Sequence, residues 1–232
     1  MRRGINECDQ LRLPDSVCEP DSRTHFYVNY DKRTEQTSPK IIKNQYEAVA
    51  CFVLNDTVPE NITIHFETAK NLYLYAWFVY RFYPVAEQQA LASLEFALRE
   101  RFPDFVESER KKRPKSGGPG LWMLLDHAIK NGSVRNDMFA ARERWAWRRA
   151  EIRHSFEKMQ EMMAAGIESM GWSESEVVVT QEDLECDWLR IFQENIPKIR
   201  NDYAHGSSSL KNNVRHSFEL VSELINQLYP KK

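Results

Sequence analysis

One short segment of the chain sets groups that can move protons beside one that can hold a phosphate. It reads Arg200-Asn201-Asp202-Tyr203-Ala204-His205-Gly206. On a helix, Asn201 and His205 are four apart and neighbour each other. Ile196, Ile199 and Tyr203 fall on a different face, the one expected to be buried, and Arg200 lies between the two. Gly206 is expected to stop the helix, which puts His205 in its last turn, where the negative end of the dipole favours imidazolium. Such a set suits RNA cleavage. The ribose 2′-hydroxyl must lose a proton as it attacks phosphorus, the leaving 5′-oxygen must gain one, and charge on the phosphoryl oxygens must be stabilised. Histidine can serve both transfers near neutral pH, and arginine can grip the phosphate with two parallel donors. The alternative is that Arg200 and His205 only cap the helix by binding its last carbonyls.

The elements that must position this segment are mostly helical. A three-four apolar spacing runs from about Thr68 through Leu72, Tyr75, Val79, Phe82, Ala86, Ala90, Leu94 and Ala97 to Phe102, with Pro84 expected to kink or divide it. A short helix is expected from Leu121 to Lys130, ended by Asn131-Gly132. A long one runs from about Asp137 to Ala165, with Ala141, Trp145, Ile152, Phe156, Met159 and Met163 as its apolar stripe. Thr180-Gln181-Glu182-Asp183 starts a helix with a capping residue and an acidic first turn, reaching about Glu194 with Leu184, Trp188 and Ile191 inward. Asn195 and Pro197 start the short helix of the motif. The last helix carries Val214, Phe218, Val221, Ile225 and Leu228 on one face. Residues 1–65 read differently, as an irregular or β-containing section set against a helical domain over 66–232. Strand-like runs are Thr24 to Tyr30, Ala48 to Leu54 and Asn61 to Phe66, although Tyr46 to Leu54 fits a buried helix as well.

The bulk properties narrow the classes. The chain has 232 residues with 42% hydrophobic and 28% charged, ordinary for a globular protein with a sizeable core. A formal net charge of -2 gives no global pull toward nucleic acid, so any RNA contact must come from local basic patches. Eight glycines argue against a Gly-rich nucleotide loop. The four cysteines, Cys8, Cys18, Cys51 and Cys186, form no C-x-x-C pair, so a zinc knuckle or ribbon is not expected. Carboxylates and histidines show no metal-ligand spacing either, and no metal or cofactor is expected. Their scatter fits reduced thiols and a cytoplasmic location, and no run is long and apolar enough to span a bilayer. The basic residues Arg110, Lys111, Lys112 and Arg113 sit in an expected flexible loop over Glu107 to Gly120, a candidate for RNA contact or a plain surface loop. Arg149, among arginines and tryptophans on the long helix, is a weaker candidate beside the reading of a solvated face.

The segment Arg200 to Gly206 resembles the R-x4-6-H motif of the HEPN (higher eukaryotes and prokaryotes nucleotide-binding) ribonucleases, in the form with a polar residue directly after the arginine. A Gly follows the histidine, and an amphipathic helix comes last. The resemblance covers roughly residues 68 to 229 in helix pattern, and Pro197 to Gly206 in residue identity. It implies a mainly α, HEPN-like bundle of about five helices. The implied activity is metal-independent RNA cutting that leaves a 2′,3′-cyclic phosphate, with Arg200, Asn201 and His205 catalytic. It further implies a homodimer with a composite site, single-stranded or tRNA-like RNA as substrate, and a role as bacterial toxin or antiphage effector under an antitoxin or other regulator. Toxins of this kind that pair with nucleotidyltransferase antitoxins carry Tyr two residues after the His, where this chain has Ser207. Such proteins often place an acid near the motif's Arg. Glu95 is either that partner, fixing the Arg200 rotamer, or an ordinary exposed carboxylate. Tyr203 either stacks on a base or belongs to the core. A second copy of the bare pattern, Arg149 to His154, lies within an uninterrupted helix, has Ala150 after its Arg and meets no helix stop; it reads as a decoy. The competing functions are a non-catalytic HEPN-like module binding a protein or nucleotide, and a helical interaction protein with an accidental motif.

Overall fold

The computed structural model describes residues 5–31, 33–114, 117–204 and 210–231. The protein is mainly α. The described elements are a hairpin of β1 (Val28–Asp31) and β2 (Gln36–Pro39), then α1 (Ile42–Ala50), α2 (Glu60–Tyr75), α3 (Phe82–Arg101), α4 (Pro103–Lys112), α5 (Leu121–Lys130), α6 (Arg142–Ala165), α7 (Gln181–Leu184), α8 (Trp188–Ala204) and α9 (Arg215–Leu228). The strands pair antiparallel from Val28 opposite Pro39 to Asp31 opposite Gln36. Among the described residues no helix is long and apolar enough to cross a membrane.

Helix α3 is the centre, with α2, α5, α8 and α9 packed around it. Its inward positions Ala86, Ala90, Leu94, Ala97 and Leu98 are all fully buried. Three of them are alanines, whose small side chains let neighbouring helices approach closely while leaving helix propensity high. Against this face α2 sets Ile62, Phe66, Ala69 and Tyr73, and α9 sets Phe218, Val221, Leu224, Ile225 and Leu228. The apolar face expected of α9 is therefore the observed one.

Two of the expected strands are corrected. Asn61–Phe66 is the first part of α2, because Ile62 and Phe66 continue at helical spacing into Ala69 and Tyr73. Ala48–Leu54 begins as the end of α1, and buried Gln45 there donates to Tyr73 O and Tyr83 Oη. The expected section boundary near residue 65 falls inside α2. The long apolar run divides at residues 76–81, ahead of Pro84, which sits in the first turn of α3, where no N–H is missed. Residues Glu107 to Lys112 of the expected loop extend α4, and α5 has the expected bounds. On α6 only the first half is covered, through Trp145, Ala146 and Ala150. Ile152, Phe156, Met159 and Met163 are exposed. The break expected at Asn195 lies instead at residues 185–187, and α8 runs on through Pro197 with Leu189 and Ile196 inward and Ile191 exposed.

Two buried aspartates pin the irregular segments. Asp21 accepts from Arg23 through two donors at 2.8 Å and from Tyr80 N at 3.2 Å, and its own N–H bonds Trp77 O, which docks the N-terminal segment on the α2–α3 turn. Asp183 closes a capping box with Thr180 and receives Arg153 at 2.8 Å, with Arg149 at 3.7 Å. Burial alone would push the Asp183 carboxyl up. Hydrogen bonds from the Thr180 backbone, Arg153 and the Thr180 hydroxyl outweigh it and hold the group at about 2, against an ordinary 3.8.

A carboxyl held low contributes stability above its unfolded value that is lost as pH falls through its folded value. Thermal melts should therefore drop between about pH 4 and pH 2. Asp183→Asn should lose about 1–2 kcal/mol at pH 7, with a difference from the parent that shrinks over this window. A constant difference down to pH 2 would contradict the assignment.

Candidate functional site

Residues Arg200–Ala204 of the sequence motif lie at the end of α8, and α3 holds them from one side. Glu95, on the second turn of α3 counted from its end, is mostly shielded, with 14% of its side chain exposed. One of its oxygens accepts Arg99, one turn on, at 2.8 Å. The other faces Arg200 Nη2 of α8 at 3.4 Å. Of the two readings of Glu95, the pairing with Arg200 is the observed one. A carboxylate shared between two guanidiniums restrains the rotamers of both. Arg200 also reaches Asn201 Oδ1 at 3.5 Å, so the two neighbours in sequence share one small region of surface. Ala204 is the last residue of α8, and His205, which follows it in the chain, lies outside the described residues.

Tyr203 is half-buried, and its hydroxyl donates to Glu87 Oε2. The other Glu87 oxygen accepts Ser217 Oγ of α9. Glu87 is only 5% exposed, so this carboxylate ties α3, the end of α8 and α9 together in the interior. Burial and the Glu87 carboxylate both push the Tyr203 phenol well above its ordinary range, so it stays a donor at any ordinary pH. Tyr203 therefore anchors the helix end that leads into His205 and is not free to stack on a base. Glu87 is the residue that reading the sequence missed. An acid at an inward position of the α3 pattern, one turn from Tyr83 and beside Ala86, is the signal that marks it.

The Arg200 end of α8 faces a cleft of about 290 Å³. Its other walls are Glu95 and Arg99 of α3 and the turn Gly118-Pro119-Gly120 that leads into α5. Arg99 donates to Pro119 O at 2.7 Å and so joins the turn to α3. A methyl group on Gly118 would sit 3.1 Å from Arg110 Cγ and 3.7 Å from Arg99 Nη1, and the glycine's φ of +115° is one that L residues rarely adopt. The bare glycine is what lets both arginines close on the turn. Arg110, one of the expected RNA-binding residues, is thereby brought to the edge of this cleft. Lys111 and Lys112 lie on the same last turn of α4, where they pair with Glu107 at 3.5 Å and Glu109 at 2.8 Å, and Arg113 caps that helix.

Arg149 is not brought to the cleft. It is half-buried on α6, donates to Cys186 Sγ at 3.0 Å and faces Asp183 and Glu182, so it serves to hold the α7 region. His154 of the second motif copy packs edge-on against Trp172, with ring centroids 5.1 Å apart. That copy is absorbed in packing. His127 is likewise structural, stacked on Phe105 with centroids 4.0 Å apart.

The described geometry can hold an anion at Arg200, with Arg99 and Arg110 adding positive potential and Glu95 fixing the rotamers. Comparison with protein families, curated proteins and solved structures gives no match for this chain.

Glu87→Ala leaves two hydroxyls without their acceptor in the interior and should lower unfolding stability by about 2–4 kcal/mol. Glu87→Gln, which keeps one oxygen, should lose clearly less. Urea titration checks this, and equal losses for both variants would place the effect in packing volume and not in the hydrogen bonds.

Proposed function

We propose that the protein is a metal-independent endoribonuclease of the HEPN type, acting as a bacterial toxin or antiphage effector. The observation that carries the reading is the Glu95–Arg200 pair. An arginine of the motif is clamped by an acid from a neighbouring helix at the rim of a basic cleft, with Asn201 beside it and His205 next after the helix end. The arginine of the second copy also faces a shielded carboxylate, Asp183, but that group is already engaged by the Thr180 cap and Arg153, and the copy's His154 packs against Trp172.

In this reading the phosphodiester lies against Arg200, whose donors grip the nonbridging oxygens as charge grows on them. An imidazole removes the 2′-hydroxyl proton as that oxygen attacks phosphorus. The bond to the 5′-oxygen breaks, a second proton donor protonates that oxygen, and a 2′,3′-cyclic phosphate and a 5′-hydroxyl remain. His205 supplies one of these transfers. A homodimer supplies the other from the second copy, and Asn201 orients the imidazole or the phosphate. Tyr203 and Glu87 set the position of the end of α8, and His205 follows Ala204 in the chain. Single-stranded or tRNA-like RNA is the substrate class, and a regulatory partner keeps the activity in check. A non-catalytic HEPN-like binding module is the reading that takes its place if the motif proves inert.

The test is incubation of the purified protein with end-labelled RNA in EDTA. Cleavage with cyclic phosphate ends is expected. His205→Ala and Arg200→Ala should each lower the rate about a hundredfold or more with helical content unchanged. Glu95→Gln should lower it about ten- to a hundredfold by releasing Arg200 from its position. No cutting of any RNA, or equal cutting by parent and His205→Ala, overturns the proposal.

A further inference from the structure

Of the six tryptophans, Trp122 is the exposed one, with half its surface open to solvent. Trp77 and Trp145 are buried, and Trp147, Trp172 and Trp188 are largely covered. Trp122 stands in the first turn of α5 and lines the cleft that holds Arg200 and Asn201. An indole left in water forgoes a large burial gain, so its surroundings show what it is suited to contact. Here they are guanidiniums. Arg99 and Arg200 line the same cleft, and Arg110 packs on Gly118 at its edge. An apolar protein surface would bring such cations out of water at a cost. A ligand with a flat aromatic part and an anionic part satisfies both. The space of about 290 Å³ is at the small end of ligand sites, enough for one residue of a polymer and too little for a docked helix.

The position of Trp122 is also fixed. Arg99 joins the turn to α3 through Pro119 O, while Leu121, Leu124 and Leu125 bury the other face of α5 in the core. The indole is therefore held on a rigid helix beside Arg200, as a stacking surface has to be. Pro197 of α8 adds an apolar patch in the same cleft.

We propose that Trp122 is a base-stacking platform that holds one unpaired nucleobase next to the phosphate gripped by Arg200. This rests on the ribonuclease reading and narrows its substrate to RNA whose base at the cut is turned out of a helix. Stacking accepts any base because every base has a π-face, so the platform selects strandedness and not sequence.

The experiment measures binding apart from cutting. A fluorescein-labelled, unstructured 2′-O-methyl oligoribonucleotide has no free 2′-hydroxyl and cannot be cleaved, and anisotropy reports its affinity. Trp122→Ala should weaken binding about tenfold or more and Trp122→Phe only about threefold, since a smaller ring still stacks. The dependence on salt should be the same for both variants, because no phosphate contact is lost, whereas Arg200→Ala should flatten it. The duplex form of the same probe should bind parent and Trp122→Ala equally. A Trp122→Ala affinity within about twofold of the parent, or no binding of the single strand by the parent, overturns the proposal. The two ideas fail separately. Cleavage in EDTA with no Trp122 effect sinks the platform and leaves the ribonuclease, whereas Trp122-dependent binding without cleavage leaves the platform and sinks the ribonuclease. Because Trp122 is exposed, its variants should melt with the parent, and that check accompanies each measurement.

Discussion

A carboxylate set between packed helices has to be paired, and that requirement fixes how α8 lies on α3. Helix α3 presents two such groups. Glu95 holds Arg200, and Glu87 holds Tyr203. The later residue on α3 meets the earlier one on α8, so the two helices run antiparallel with their register set at two points. An apolar interface of Ile196 and Ile199 against alanines and leucines would tolerate some sliding. Charged and hydrogen-bonded contacts do not, because a slip of one residue strands a shielded carboxylate without its donors. The orientation of the motif arginine is thus a consequence of how the core is closed.

The same logic extends outward from Glu95. Its second arginine, Arg99, passes the constraint to the turn before α5 through Pro119 O. A rigid turn there sets where Trp122 stands and how near Arg110 comes. One chain of polar contacts thus organises a cleft whose walls come from α3, α8, α5 and the turn before it. None of the contributing residues is close in sequence to Arg200 apart from Asn201 and Pro197.

Reading the sequence went astray where a short window carried two patterns. Ile62-Thr63-Ile64 is β-branched and looks like a strand, yet Ile62 and Phe66 are buried together with Ala69 and Tyr73, and the longer period prevails because α3 covers that face. The stripe Ile152, Phe156, Met159 and Met163 is periodic and nevertheless exposed, since periodicity states that a face is apolar and not that this chain covers it. The break in the region of α7 and α8 was misplaced because Pro197 reads as a helix start, whereas in α8 the chain continues through it at the cost of one N–H.

What the sequence determined by itself was local. The apolar period of α9, the bounds of α5, the Thr180 cap and the grouping of Ile196 with Ile199 and Tyr203 all follow from residues within a few turns of one another, where helix geometry leaves little choice. The Arg-to-His spacing too was legible at both of its copies, and the structure draws Arg149 and His154 of the second copy into packing contacts. The tertiary structure alone decided between the two readings of Glu95 and gave Glu87 its place. It also left Trp122 open beside Arg200 and drew Arg149 into packing. Each of these depends on contacts between residues far apart in the chain, 116 positions in the case of Tyr203 and Glu87. No spacing rule spans such a distance, because it is set by how apolar faces pack and not by the period of any one helix.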